Sequence, residues 1–192
     1  MLATTSFLIF AATAAPVVSV QGQSDTTQQQ NAPCASTQFH QFDFWIGEWD
    51  VLNPQGRVAG ASVITRVLNG CAIHEEWHSE GSAFAGNSYN TYDRARNVWH
   101  QTWVDNSGQL LQLDGEFRDG KMVLEGERPG ANGGTVLNRI TCEALAPDSV
   151  LQVWDVSSDG GTTWTSQFDG LYLRKGAGSR EQGADRITPP PG

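Results

Sequence analysis

The chain has 192 residues, with 12 Lys and Arg against 21 Asp and Glu, a formal net charge of -9 at pH 7 and 39% hydrophobic residues. Domains typically have roughly 100–200 residues, so this length fits one domain and excludes a large multi-domain enzyme. The acidic balance offers no positive surface to phosphate backbones or anionic lipids. We therefore expect no nucleic acid among its partners.

The N-terminal residues have the character of an export signal. Residues 2–20 carry no charge and include an apolar run at 7–12, followed by small residues and Pro16. Pro16 interrupts the segment before it reaches the roughly 20 apolar residues that a membrane-spanning helix needs. We expect a signal peptide at residues 1–22, a mature chain without a membrane span, and a periplasmic or secreted protein.

Two polar segments flank the remaining residues. Gln, Ser, Thr, Asn and Ala dominate the stretch that ends at residue 38, and the chain finishes with Gly, Ser, charged residues and three consecutive prolines. Such compositions bury too little apolar surface to offset the entropy that is lost on ordering. We predict a disordered linker at 23–38, one folded domain at 39–175 and a disordered tail at 176–192.

The folded domain alternates short β-prone runs with turn residues, and no part of it keeps a helical period. Turn sequences such as Asn69-Gly70 and Asp119-Gly120 separate the runs. Ten strands of this kind bury their faces and edges best in an antiparallel up-and-down barrel, with a β-sandwich as the alternative. The predicted strands are residues 48–52, 57–68, 71–79, 83–92, 98–104, 110–117, 121–127, 136–143, 150–156 and 163–173.

Three cysteines permit one disulfide and leave one thiol. Pairing of Cys34 with Cys71 ties the linker to the third strand, whereas pairing of Cys71 with Cys142 bridges two strands, and the sequence leaves both open. A catalytic thiol needs a neighbouring base, and only Cys71, three residues before His74, comes near one. The two point to opposite faces of a strand, so we expect no catalytic cysteine.

The start of the first strand resembles the entrance of a known class of barrel. Gly47-Glu48-Trp49 is similar to the Gly-x-Trp sequence of lipocalin and calycin barrels, and Arg174 stands where their closing Arg does. The resemblance implies a lipocalin-like barrel with a cavity, in which Arg174 stacks on Trp49. Residues 39–174 also resemble a set of bacterial secreted proteins of unknown function, through segments 42–51, 69–71, 99–108, 138–141 and 157–172.

Two further resemblances concern a cofactor and a turn. The chain is distantly similar to nitrobindin-like ten-strand barrels, which hold haem through a His late in the chain, but its four His are His40, His74, His78 and His100. That ligand has no counterpart, so we expect no cofactor. Residues 157–164 resemble the Asp box of sialidase propellers, and one copy is expected to form a structural hairpin.

Glu75 is the candidate for acid–base chemistry. Ile73, Glu75 and Trp77 share one face of the third strand, which we expect to point inward because it is the more apolar face. A buried carboxylate either pairs with a cation or has a raised pKa. Glu75 is therefore either a ligand-orienting or acid/base group, or part of a structural ion pair with Arg139 or Arg66.

The opposite face of the same strand carries metal-ligating side chains, namely His74, Glu76 and His78. Residues four apart on a strand are separated by roughly 13 Å, which is too far for both His to bind one ion. We interpret the three as a polar outer surface and expect no metal.

The same alternation places aromatic and amide side chains inside the barrel. Large apolar surfaces with a few polar anchors are typical of small-molecule pockets. The predicted ligand-binding residues are Trp77, Asn90, Trp99, Gln101, Trp103, Arg139, Gln152 and Trp154.

The sequence thus predicts an exported barrel that binds a small apolar or amphipathic molecule. One alternative is a barrel enzyme, such as an isomerase, hydratase or hydrolase, that uses Glu75 as its acid or base. The other is an envelope-associated structural protein without a ligand. The oligomeric state stays open.

Overall fold

The computed structural model describes residues 33–130 and 133–176. This part of the chain is β throughout apart from three short 3-10 helices, and each strand end lies within three residues of its predicted position. The strands are β1 (Gly47–Leu52), β2 (Val58–Val67), β3 (Ala72–Ser79), β4 (Ala85–Asp93), β5 (Val98–Asp105), β6 (Leu110–Arg118), β7 (Lys121–Pro129), β8 (Thr135–Ala146), β9 (Ser149–Ser157) and β10 (Thr165–Arg174).

The ten strands form a closed barrel in which consecutive strands are antiparallel neighbours and β1 pairs with β10. In the closing pair, Trp49 lies opposite Arg174 and Leu52 lies opposite Leu171. Closure leaves no unpaired sheet edge, which is the usual hazard of a long meander. The predicted up-and-down barrel is confirmed, and the β-sandwich alternative is wrong.

The turn sequences adopt the backbone conformation for which their residues are suited. Asn69 and Asp119 have φ angles of 54° and 51°, in the left-handed region, and Gly70 and Gly120 follow them with φ angles of 92° and 78°. Asn, Asp and Gly tolerate this region better than other residues. These positions reverse the chain between β2 and β3 and between β6 and β7.

The segment that precedes β1 covers one end of the barrel. It contains two 3-10 helices, Thr37–His40 and Asp43–Trp45. Phe42 and Trp45 have no exposed surface, and their stacked ring centroids lie 4.8 Å apart. Trp45 also accepts a hydrogen bond at its carbonyl oxygen from Nε1 of Trp49, at 2.9 Å. This end of the barrel is therefore filled with aromatic side chains.

An arginine and a disulfide hold the covering segment in place. The guanidinium carbon of Arg174 lies 4.3 Å from the Trp49 ring centroid, so the predicted stacking is confirmed. Cys34 is bonded to Cys71, the residue immediately before β3, whereas Cys142 is a buried free thiol. Of the two pairings that the sequence left open, the one that ties the linker to the third strand is present.

The terminal predictions fall largely outside the described residues. The expected signal peptide, most of the linker and all of the tail except Gly176 lie there. The last linker residues, 33–38, are described, and they contain Cys34 of the disulfide and the first residues of a 3-10 helix.

Candidate functional site

A cavity of about 390 Å³ opens at the barrel end opposite the covering segment. Phe84 in the β3–β4 connection and Gln109 in the β5–β6 connection lie at its rim, and Glu75 and Tyr172 lie deeper along their strands. Small-molecule sites typically have volumes of roughly 300–1,000 Å³. The barrel interior is thus filled at one end and open at the other.

Three tryptophans on three different strands form much of the cavity wall: Trp77, Trp103 and Trp154. Each indole N–H donates to a neighbouring side chain at 3.0–3.1 Å, and the acceptors are Ser79, Asp105 and Asn138 respectively. Because their polar atoms are satisfied within the wall, the rings offer mainly apolar surface to the cavity.

Two glycines provide the space for two of these rings. Gly60 on β2 lies against the ring of Trp77, and Gly86 on β4 lies against the ring of Trp103. A Cβ atom at either glycine would collide with the indole atoms. Neither glycine has a positive φ angle, so the requirement is for room and not for an unusual backbone conformation.

Glu75 is 3% exposed and has three hydroxyl partners. Ser62 Oγ and the Tyr172 hydroxyl donate to its Oε1 at 3.0 and 3.4 Å, and Ser88 Oγ donates to its Oε2 at 3.0 Å. Burial raises the pKa of Glu75 to about 7, and the three hydrogen bonds hold it below the value that burial alone would give. Glu75 is therefore a cavity carboxyl that changes its charge near neutral pH.

Of the two alternatives for Glu75, the structural ion pair with Arg139 or Arg66 is wrong. Arg66 pairs with Asp43 and donates to the Gly70 carbonyl oxygen at 2.7 Å. Arg139 also pairs elsewhere, on the outside of the barrel. Among the described residues, the groups that contact the Glu75 carboxyl are neutral hydroxyls.

A chain of buried amides continues from Glu75 through Ser88. Asn90 donates from Nδ2 to Ser88 Oγ at 2.9 Å, and Gln101 donates from Nε2 to Asn90 Oδ1 at 2.7 Å. Gln101 lines the cavity, whereas Asn90 lies behind it with no exposed surface. The network holds the Gln101 amide and the Ser88 hydroxyl in fixed positions.

Gln152, a residue of the cavity wall, carries an unsatisfied polar atom. Its Oε1 is buried without a hydrogen-bond partner among the described residues, and its side chain lines the cavity. An unpaired buried acceptor costs roughly 1–3 kcal/mol.

Five of the eight predicted ligand-binding residues line the cavity: Trp77, Gln101, Trp103, Gln152 and Trp154. Asn90 and Trp99 point inward but lie deeper. The Trp99 ring packs edge-on against Phe42 of the covering segment, with centroids 5.8 Å apart. Trp99 therefore belongs to the filled end of the barrel.

Arg139 lies on the outside of the barrel, so its predicted position in the interior is wrong. It forms ion pairs with Asp155 at 3.6 Å and Glu125 at 3.9 Å, and its guanidinium carbon lies 3.9 Å from the Trp164 ring centroid. The adjacent Ile140 takes the inward position on β8. Successive side chains of a strand point to opposite faces, so the two cannot both face the cavity.

Sequence reasoning did not identify several residues of the site. Tyr172 and Phe168 lie on the inward face of β10, where the period-two alternation of the strand could have revealed them. Ser62 gave no signal, because a small neutral side chain is common on either face of a strand. It becomes significant only through the pairing of β2 with β3, which brings it to Glu75.

The side chains on the outer face of β3 that are of metal-binding type form hydrogen bonds with nearby side chains. His74 Nε2 lies 2.8 Å from Asn87 Oδ1, and His78 Nε2 lies 3.4 Å from Glu76 Oε1. In the described ranges, no group of three or more His, Cys, Asp or Glu is arranged to hold a metal ion.

Residues 157–164 form the expected hairpin, between β9 and β10. The backbone N–H of Thr163 donates to Asp159 Oδ1 at 2.9 Å, and Trp164 Nε1 donates to the Gly161 carbonyl oxygen at 3.0 Å. Hydrogen bonds to the acid lower the pKa of Asp159 to about 2. Residues 157–164 therefore form a turn, and Trp164 in this turn provides the ring against which the Arg139 guanidinium packs.

The fold and the site define a closed ten-strand antiparallel barrel with one aromatic-walled cavity that contains a buried acid. No protein-family model matches the chain, and no curated protein matches it either. The resemblance to lipocalin-like barrels therefore stays a prediction. Within residues 33–130 and 133–176, no helix is long and apolar enough to span a membrane.

Proposed function

We propose that the protein binds a small apolar or amphipathic molecule in the barrel cavity, after export to the periplasm or the cell exterior. The observation that carries this proposal is the open cavity of about 390 Å³ with Trp77, Trp103, Trp154 and Phe168 in its wall. The indole N–H groups of the three tryptophans are held by hydrogen bonds within the wall, so their rings offer mainly apolar surface to a ligand. Export is supported by the uncharged apolar N-terminal residues and by the Cys34–Cys71 disulfide.

The size of the cavity limits the size of the ligand and therefore the affinity that we expect. Drug-sized ligands gain about 0.3 kcal/mol per non-hydrogen atom, so a molecule of about 20 such atoms would bind with about 6 kcal/mol. That free energy corresponds to a Kd of about 40 µM. Titrations therefore need to extend to about 1 mM of ligand.

The test is a titration with the neutral lipophilic dye N-phenyl-1-naphthylamine, followed by dye emission and by quenching of tryptophan fluorescence. Wild-type protein is expected to bind it saturably. Trp103→Ala is expected to weaken binding at least fivefold, because it removes one cavity wall. Trp164→Ala is the matched control, since Trp164 packs against Arg139 outside the barrel. Absence of saturable binding, or equal loss in both variants, would contradict the proposal.

A second candidate function is acid–base catalysis in the same cavity, by an isomerase, hydratase or hydrolase. It is favoured by Glu75, a cavity residue whose pKa of about 7 suits proton transfer at neutral pH. For a substrate found by screening, Glu75→Gln should abolish turnover while it leaves binding largely intact. Unchanged turnover in this variant would eliminate the candidate. A structural role without a ligand has less support, because the cavity leaves the interior open.

A further inference from the structure

We propose that the ligand of this cavity is an amine that binds in its protonated form, with its ammonium group beside Glu75 and its apolar part against the tryptophan rings. This inference rests on the proposed binding function and adds the chemical class of the ligand. Three features of the cavity support it: the charges of the lining, the hydrogen bonds of the Glu75 carboxyl and the aromatic wall.

The ionisable groups that line the cavity are all acids. They are Glu75, Asp105 and Tyr172, and the described part of the chain contributes no Lys, Arg or His to the lining. A ligand carboxylate would enter a cavity that contains two carboxyl groups and no cation. A ligand cation would instead meet the opposite charge, which favours its transfer from water.

Glu75 has room for one more donor. An ionised carboxylate has about four lone-pair positions, and the hydroxyls of Ser62, Ser88 and Tyr172 occupy three of them. Oε1 accepts two of these hydrogen bonds and Oε2 accepts one. A buried charge without a counter-ion is costly, and an ammonium group at Oε2 would supply the missing positive charge.

The aromatic wall suits the same group. Trp is the aromatic side chain that attracts cations most strongly, and Trp77 lies two residues from Glu75 on the same inward face of β3. A neutral alcohol would gain less from each of these features.

The guanidinium of Arg128 lies close to the cavity wall, although Arg128 is not one of the lining residues. The guanidinium carbon of Arg128 lies 6.0 Å from the Trp154 ring centroid, and its Nη1 donates to Gln109 Oε1 at 2.9 Å. Its Nε is buried without a partner among the described residues. A carboxylate ligand would be drawn to Arg128 near the rim, so a carboxylate probe is needed in the test.

Within the described residues, no group that faces Glu75 changes its own charge near neutral pH. Ser62 on β2 and Ser88 on β4 do not ionise, and burial raises the pKa of both Tyr172 on β10 and Cys142 on β8 well above the ordinary values. Burial acts to raise the pKa of Asp105 at the cavity, but its several hydrogen bonds together outweigh burial and lower that pKa, so Asp105 stays ionised. Proton uptake or release on ligand binding therefore reports on Glu75.

The experiment compares three probes of matched shape by calorimetry at pH 8: 4-phenylbutylamine, 4-phenylbutan-1-ol and 4-phenylbutanoate. The full disulfide-bonded chain is expected to bind the amine at least tenfold more tightly than the alcohol, and the carboxylate most weakly. Equal binding of amine and alcohol, or tightest binding of the carboxylate, would overturn the amine proposal and leave the binding function standing. If none of the three probes and no lipophilic dye binds, both proposals fail.

Proton release gives a second readout on the wild-type protein. At pH 6 most Glu75 carboxyls carry a proton, which an ammonium ligand must expel. Titrations in two buffers of different ionisation enthalpy should show roughly 0.9 proton released per amine and none per alcohol. Amine affinity should rise roughly tenfold from pH 6 to pH 8, because the amine itself stays protonated. Amine binding without proton release would contradict a site at Glu75.

Two variants of neighbouring residues on β3 compare removal of the cavity carboxyl with removal of a surface carboxyl. Glu75→Gln should lose the preference for the amine, so that amine and alcohol bind it with similar affinity. Glu76→Gln, on the outer face of β3, is the control and should keep both. A retained amine preference in Glu75→Gln would overturn the proposal, and the proton-release measurement decides the question if that variant does not fold.

Discussion

The buried acid makes the stability of the barrel depend on pH in an unusual direction. The unfolded chain releases the Glu75 proton with a pKa near 4.5, whereas the folded protein holds it up to a pH of about 7. The stabilising contribution is therefore complete below pH 4.5, declines as the pH rises, and is lost above pH 7. At roughly 1.4 kcal/mol per pH unit, the loss in free energy of unfolding amounts to roughly 3 kcal/mol.

Urea denaturation followed by tryptophan fluorescence at pH 4.5 and pH 8 measures this loss. Glu75→Gln cannot ionise, so its stability should fall by roughly 3 kcal/mol less than that of wild type over this interval. Glu76→Gln controls for removal of a carboxyl from the same strand and should follow wild type. Parallel losses in wild type and Glu75→Gln would show that Glu75 ionises like an exposed carboxyl, and the reasoning on its burial would be refuted.

Three further perturbations test the two ends of the barrel. Reduction of the Cys34–Cys71 disulfide, which spans 37 residues of sequence, should lower the free energy of unfolding by roughly 4 kcal/mol in urea titrations with and without reductant. Arg174→Ala removes a cation from an aromatic ring and should cost roughly 1–3 kcal/mol by the same assay; a cost near zero would show that the stacking does not stabilise the closure. Gly86→Ala places a methyl group against the ring of Trp103 and should cost roughly 1–3 kcal/mol while it weakens dye binding; an unchanged dye titration would indicate that the ring moves without affecting the cavity.

The strands were predictable because local chemistry determines where each one stops. Asn69-Gly70 and Asp119-Gly120 adopt left-handed backbone conformations that few other residues tolerate, so the turn positions are encoded by the residues themselves. Closure between β1 and β10 was inferable from the number of strands and from the need to cover edges. The pairing of Cys34 with Cys71 depends on how the covering segment lies against the barrel, which spacing along the chain does not contain.

The candidate site was only partly predictable because some strands mix polar and apolar residues on both faces. On β3 the apolar neighbours of Glu75 marked the inward face correctly. On β8, Asn138 and Arg139 are both polar, and the alternation alone does not say which one faces the interior. The outward orientation of Arg139 depends on the Trp164 ring and on Asp155, which hold its guanidinium outside the barrel. These partners come from β9 and the hairpin that follows it.

The barrel separates the residues that hold it together from the residues that would contact a ligand. The aromatic stack, the arginine and the disulfide occupy one end, whereas the rim residues Phe84, Gln109 and Gln167 occupy the other. Substitutions at the rim leave the stabilising contacts of the opposite end intact. The protein is therefore suited to laboratory evolution of its specificity, since the rim can be randomised while the covered end keeps the fold stable.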